Sequence, residues 1–197
     1  LEEMVVTSSR IEMPLREVAT SISVVTREDI QIRGFSTVAE TLRYEPSIAV
    51  DSSGGVGKAT NVRIRGEQGF RTKAYIDGID IADPSAIGGG PNFSNLLSGA
   101  IDRVEILRGP EGLAYGADAG GVINMSTAAP QSGFTGSLEA EGGRYGTQQY
   151  LGHVAGGNET VDGVISAERF KTDGFNALDT NDRDDDGYEN TTFHGRA

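Results

Sequence analysis

A change of character at Pro130 most constrains what this chain can fold into. Beyond it the helical signals stop, and Ser137–Tyr145, Thr147–Ala155 and Val161–Phe170 read as strands joined by glycine-containing links. Each has the nine or ten residues, roughly, that a tilted membrane-spanning strand needs. Leu138 and Ala140 alternate with Glu139 and Glu141, and Ile165 and Ala167 alternate with Ser166 and Glu168. Two architectures accept that pattern. One is a transmembrane β-barrel, apolar outside and polar inside; the other is an ordinary antiparallel sheet with one wet face. No run reaches the roughly 18 apolar residues of a membrane-spanning helix. No basic-then-apolar leader opens the chain at Leu1, which reads as a mature or trimmed terminus.

Residues before Pro130 mix strands, short helices and glycine turns. Ile22–Val25 reads as a short strand, and Thr26 with Asp29 opens a helical turn as a capping box. Thr37 and Glu40 form a second box, with Val38, Ala39 and Leu42 on one apolar face and Pro46 as the stop. Val62–Gly66 alternates apolar and basic residues, as a half-buried strand does. Ala74–Ile81 reads as a hairpin whose Asp77-Gly78 pair suits a turn with positive φ. Arg103–Arg108 and Gly121–Met125 are two further strands. These elements predict a small α+β domain.

Composition removes several function classes. The 197 residues carry 17 basic and 29 acidic side chains, a net charge of −12, which disfavours a phosphate backbone as partner. Cysteine is absent, so disulfides, zinc thiolates and thiol nucleophiles are excluded. The 28 glycines are twice the usual share of about 7%. Ser53–Ala59 fails as a phosphate-binding loop, because Ser52 stands where its first glycine is needed and Ala59 where a hydroxyl should follow the lysine. Gly112–Gly116 and Gly120-Gly121 lack the strand-to-helix setting of a dinucleotide site. His153 and His194 have no partner at ligand spacing, and no Gly-x-Ser-x-Gly elbow occurs. Nothing here reads as an enzyme.

An ordered series of short motifs resembles a known family. It runs through Glu3–Thr7, Ile22–Thr26 into Arg27–Ile30, Val38–Leu42, Ile64–Gly66 and Tyr75–Gly78. Val104–Pro110, Ala114–Gly116 and Gly120–Asn124 continue it. Together they resemble the plug domain of TonB-dependent outer-membrane transporters. Gly143–Gly146 and Phe170–Phe175 are similar to the first barrel strands of the same family. The resemblance implies an α+β plug domain followed by the first three or four antiparallel strands of an incomplete 22-stranded β-barrel. It divides the chain into an energy-coupling segment at 1–10, a plug at 11–129 and a barrel start at 130–197. A lumen of about 22 strands needs a plug, but residues 131–197 suffice for only about three or four strands. The expectation is therefore a piece of a longer receptor in the outer membrane of a Gram-negative bacterium.

What the family does supplies the remaining expectations. A TonB-type energy-coupling protein would pair with Glu3, Met4, Val5, Val6 and Thr7, where β-branched residues suit strand addition. The plainer reading of that segment is a strand of the plug itself. The solute would be an iron-siderophore or similar metal chelate, or a cobalamin. Lys58, Arg71 and Lys73 would attract it, Phe70 and Phe93 would add apolar contact, and solvated loop decoration is the alternative for each. Arg65 and Arg108 match the arginines that lock plug to barrel, whose carboxylates would lie beyond Ala197. The acidic run after the third strand offers Asp179, Asp182, Asp184 and Asp186 as a candidate Ca2+ site, against a solvated hairpin tip. No other cofactor is implied. A soluble plug-like binding module and a signalling receptor are the alternatives to transport; the second normally has an extra domain before the coupling segment.

Overall fold

The computed structural model describes residues 4–5, 13–14, 21–85, 88–109, 115, 120–130, 132–158, 160–177 and 185–197. Strands β1 (Met4–Val5) and β2 (Met13–Pro14) form a short antiparallel pair. Strand β3 (Ser21–Thr26) runs straight into helix α1 (Arg27–Arg33), because Thr26 is an extended N-cap that bonds reciprocally with Asp29. Gly34 ends α1 at φ 62°, a left-handed conformation that glycine adopts without a Cβ penalty. Helix α2 (Val38–Leu42) starts at Thr37 with half of the expected box. The Glu40 amide donates to Thr37 Oγ1, but the Glu40 carboxylate accepts from that hydroxyl rather than from the Thr37 amide.

Strands β4 (Ile48–Ser52) and β5 (Thr60–Ile64) form a separate hairpin. The hairpin of β6 (Thr72–Ile76) and β7 (Ile79–Asp80) turns at Asp77 (φ 48°) and Gly78 (φ 81°). Both central residues have positive φ, as the Asp-Gly pair predicts. Strands β8 (Ile101–Arg108) and β9 (Gly121–Thr127) complete a mixed five-stranded sheet of order β3-β8-β9-β6-β7, in which β6 and β9 are parallel. Its core gathers Val25, Ile30, Leu42, Ile64, Val104, Ile106, Ile123 and Met125, all buried. Phe93 belongs to that cluster at 1% exposure.

Residues 133–196 form an antiparallel meander of β10 (Gly133–Gly142), β11 (Gln148–Gly157), β12 (Asp162–Thr172) and β13 (Tyr188–Arg196). Register places Leu138 opposite Gly152, Val154 opposite Ile165 and Ala167 opposite Phe193, so these share one face. That face is exposed and apolar: Phe134 is 80% exposed, Leu138 84% and Phe193 76%. The opposite face carries Glu139, Gln149, Leu151, Glu168 and Phe170 toward the N-terminal domain, and Leu151, Glu168 and Phe170 are buried. The expected alternation is thus realised, and its polar side is the covered one. A bilayer wall needs that arrangement. No helix among the described residues is long and apolar enough to cross a membrane, which says nothing about strands.

Candidate functional site

The strand directions bring the Gly143–Thr147 turn and the β12–β13 connection to one end of the wall. The Ser53–Ala59 loop of the β4–β5 hairpin reaches the same end. It is closed at its base by the Ser53 amide donating to Ala59 O (3.1 Å). Gly57 (φ 84°) lies directly on the Tyr188 ring, where a Cβ would collide, so only glycine permits this approach. Lys58 Nζ pairs with Asp186 Oδ1 at 2.7 Å, and Asp186 Oδ2 accepts from the Ala177 amide. Those bonds hold the Asp186 carboxyl below its ordinary range, the Lys58 bond first. Tyr188 Oη donates to Asn95 Oδ1 (2.9 Å), and Asn190 Nδ2 donates to Asn95 O (3.3 Å). Between loops and wall lies a cavity of about 380 Å3, lined among others by Ser52, Gly55, Thr60, Tyr145, Phe175 and Asp186.

The five residues expected to contact solute do not converge. Phe93 lines that cavity only as a core ring beneath it. At 1% exposure it offers no surface to a ligand, and the expectation is corrected: an aromatic in a glycine-rich loop is here folded inward by the core it fills. Lys58 is already spent on Asp186. Phe70 is 42% exposed and lines a separate cavity of about 190 Å3 with Asn61, Asp83, Gly90 and Asn92. Arg71 pairs with Glu67 at 3.8 Å and Lys73 with Asp80 at 3.7 Å, both away from the groove.

The two expected locking arginines also sit differently. Arg108 is buried inside the N-terminal domain, where Nε donates to Pro46 O (2.9 Å) and Nη1 to Ser23 Oγ (2.7 Å). Its Nη2 lies 3.8 Å from Glu45, which also receives a two-pronged bond from Arg33 at 3.0 Å. Burial lowers the Arg108 pKa, Glu45 opposes that shift, and Arg65 adds to it. Arg108 Nη2 is thus within ion-pair range of Glu45 but makes no hydrogen bond among the described residues. Arg65 takes φ 54°, with its amide donating to Ser47 O.

Of the coupling segment, Met4 and Val5 pair with Pro14 and Met13, whereas Glu3, Val6 and Thr7 lie outside the described residues. Asp179, Asp182 and Asp184 lie outside them too. Among the described residues no three acidic or histidine side chains gather at metal-binding distance, and Asp186 has both oxygens engaged.

Residues to which the sequence assigns no such role make further contacts between domain and wall. Arg27 Nη2 pairs with Glu139 Oε1 at 3.1 Å, and Gln31 Nε2 donates to the same oxygen. Asp77 accepts from the Thr127 amide and hydroxyl and faces His194 Nε2 at 3.4 Å and Arg196 Nη1 at 3.7 Å. Glu139 is legible as an inward position of β10, whereas His194 lies on β13, which no alternation marks. Arg27 and Asp77 carry only their helix-start and turn signals, neither of which points to the wall.

Comparison with known proteins agrees with this geometry. The family described as TonB-dependent Receptor Plug Domain matches residues 14–123. The vitamin B12 transporter BtuB of Photobacterium profundum is 39% identical over 95% of this chain and 31% of that protein. The vitamin B12 transporter BtuB of Vibrio vulnificus is 36% identical over 66% of this chain and 21% of its own length. The ferripyoverdine receptor of the outer membrane of Pseudomonas aeruginosa superposes with a TM-score of 0.74 at 26% identity, over 88% of this chain and 23% of that one. The alcaligin outer-membrane receptor FauA of Bordetella pertussis, at 20% identity and TM-score 0.75, shares the fold over 98% of this chain and 31% of its own. The chain thus spans about a third or less of the length of these relatives. Its N-terminal domain is a plug, its meander is part of a barrel wall, and the chain belongs to the TonB-dependent receptor plug-domain family.

Proposed function

We propose that this chain is the plug and first wall of an outer-membrane receptor that takes up a large, scarce solute, an iron chelate or a cobalamin, driven by a TonB-type coupling protein. The observation that carries this reading is the sidedness of the meander. Its polar face clasps the plug, and its apolar face, with Phe134, Leu138, Ile165 and Phe193 exposed, suits lipid. A soluble binding module has no use for such a face. The relatives named vitamin B12 transporter support cobalamin as the solute to test first. The plug loops and the Tyr145–Phe175 rim would form the capture surface, with Phe70 and Arg71 as further candidates.

In this reading the β1 segment binds the coupling protein by adding its strand to a sheet edge. A peptide of residues 1–10 should bind the periplasmic domain of that protein, and Val6→Pro should abolish binding, since proline removes a backbone donor. Equal binding of the two peptides by calorimetry would exclude strand addition. For transport, cells that lack cobalamin uptake and express the receptor containing this sequence should accumulate radiolabelled cyanocobalamin. Accumulation of a ferric chelate alone would reassign the solute, and accumulation of neither would refute uptake. Calcium at the acidic connection is part of the same proposal. It would compete with Lys58 for Asp186, so Ca2+ should give saturable shifts of the Asp186 and Ala177 amides; linear drift would exclude the site.

A further inference from the structure

The plug's ion-paired arginines divide into two groups. Arg33, Arg63, Arg71, Arg103 and Arg108 bind carboxylates of the plug itself. Arg27 instead crosses to the wall. Its Nη1 donates to the carbonyls of Gly99 and Ile101, and its Nη2 to Glu139 on β10. One guanidinium therefore joins the start of α1, the entry to β8 and the barrel.

The surroundings mark this contact as more than a surface pair. Glu168, a buried carboxylate on the inner face of β12, is bonded by Gln149 Nε2 at 2.7 Å. Its other oxygen lies so close to Gly99 that a Cβ there would collide with it. Arg27 thus binds the carbonyl of the very residue on which a second wall carboxylate rests. Alongside runs a cavity of about 440 Å3 lined by Arg27, Ile30, Gln31, Glu139, Gln149 and Leu151. Its polar groups can rebond to water if the guanidinium swings away, so the joint can open without tearing the core.

We propose that Arg27 is the positioning residue that fastens the plug to this part of the wall, through Glu139 and the Gly99–Glu168 seat, and that its release frees α1. Arg108 makes its hydrogen bonds to Pro46 O and Ser23 Oγ, both within the plug. The proposal rests on reading the chain as plug and wall, and its test needs no solute, so its failure leaves the uptake reading untouched.

The test is amide hydrogen exchange on the chain in detergent micelles. Arg27→Met should speed exchange about tenfold at Ile30–Gly34 and Ser137–Glu141, the scale of a lost charge-assisted bond, with Val104–Leu107 unchanged. Arg27→Lys, which keeps charge but not the fork, should fall between. Glu139→Gln, which keeps an acceptor for the guanidinium but removes the charge, should speed exchange at Ser137–Glu141 less than Arg27→Met does, whereas loss of packing alone would make no difference between charge and neutral acceptor. Arg108→Met should loosen β3 and β8 and leave β10 alone. If Arg27→Met changed β10 less than about twofold, or if Arg108→Met gave the same pattern, the assignment would be overturned.

Discussion

Replacing Phe93 with alanine separates a core ring from a ligand contact. Phe93 is 1% exposed and packs in the same cluster as Leu42, Ile64 and Val104. Full burial of such a side chain contributes about 1.5–3 kcal/mol. The cavity left behind adds to that loss, for a total of about 3–5 kcal/mol. Because Phe93 also lines the groove beneath the plug loops, water can partly fill the space, and the low end, about 3 kcal/mol, is expected. One factor of ten corresponds to about 1.4 kcal/mol, so the slowest amides, at Val104–Leu107, should exchange roughly 150-fold faster. Phe70→Ala, at a ring 42% exposed, should cost no more than about 1 kcal/mol, or about fivefold. Native-state hydrogen exchange under conditions where opening is in equilibrium measures both. An effect of Phe93→Ala below about tenfold, or equal to that of Phe70→Ala, would refute the assignment of Phe93 to the core.

Three further outcomes follow from the structure. Asp29 has its pKa lowered first by the Thr26 amide and then by the Thr26 hydroxyl. Its contribution is present above the ordinary value of 3.8 and is lost as pH falls through the lower folded value; Asp29→Asn should flatten this acid limb in melting temperature measured against pH. Lys58→Met should move the Asp186 carboxyl back up toward its ordinary range, read by carbon NMR titration, and speed exchange of the Ala177 amide. An unmoved titration would show that the pair does not persist in solution. Gly121→Ala should destabilise the plug by about 1–3 kcal/mol, since its Cβ would lie 2.8 Å from Leu107 O and crowd Ile64; denaturant midpoints check it, and a neutral variant would mean that β8 and β9 yield more easily than their close packing implies.

The sequence by itself determined the elements whose signals span a few residues. The Thr26–Asp29 cap, the Asp77-Gly78 turn and the inward and outward positions of β10 and β12 all follow from spacing that the backbone reads locally. Ordered motifs of that kind also revealed the family. Three strands escaped, of which β2 is only the pair Met13–Pro14. β4 offers only Ile48-Ala49-Val50 before turning polar, and β13 is polar along most of its length, so each is defined chiefly by the neighbour it pairs with. Tertiary structure alone decided which charged groups meet. Lys58 and Asp186 are 128 residues apart, and Arg27 and Glu139 are 112 apart. No local pattern encodes such a pair, because Coulomb attraction acts on whatever the packed sheet and wall bring within reach. The same holds for Phe93: its loop reads as solvent-facing, but a ring beside an unfilled core gains more by burial than by exposure.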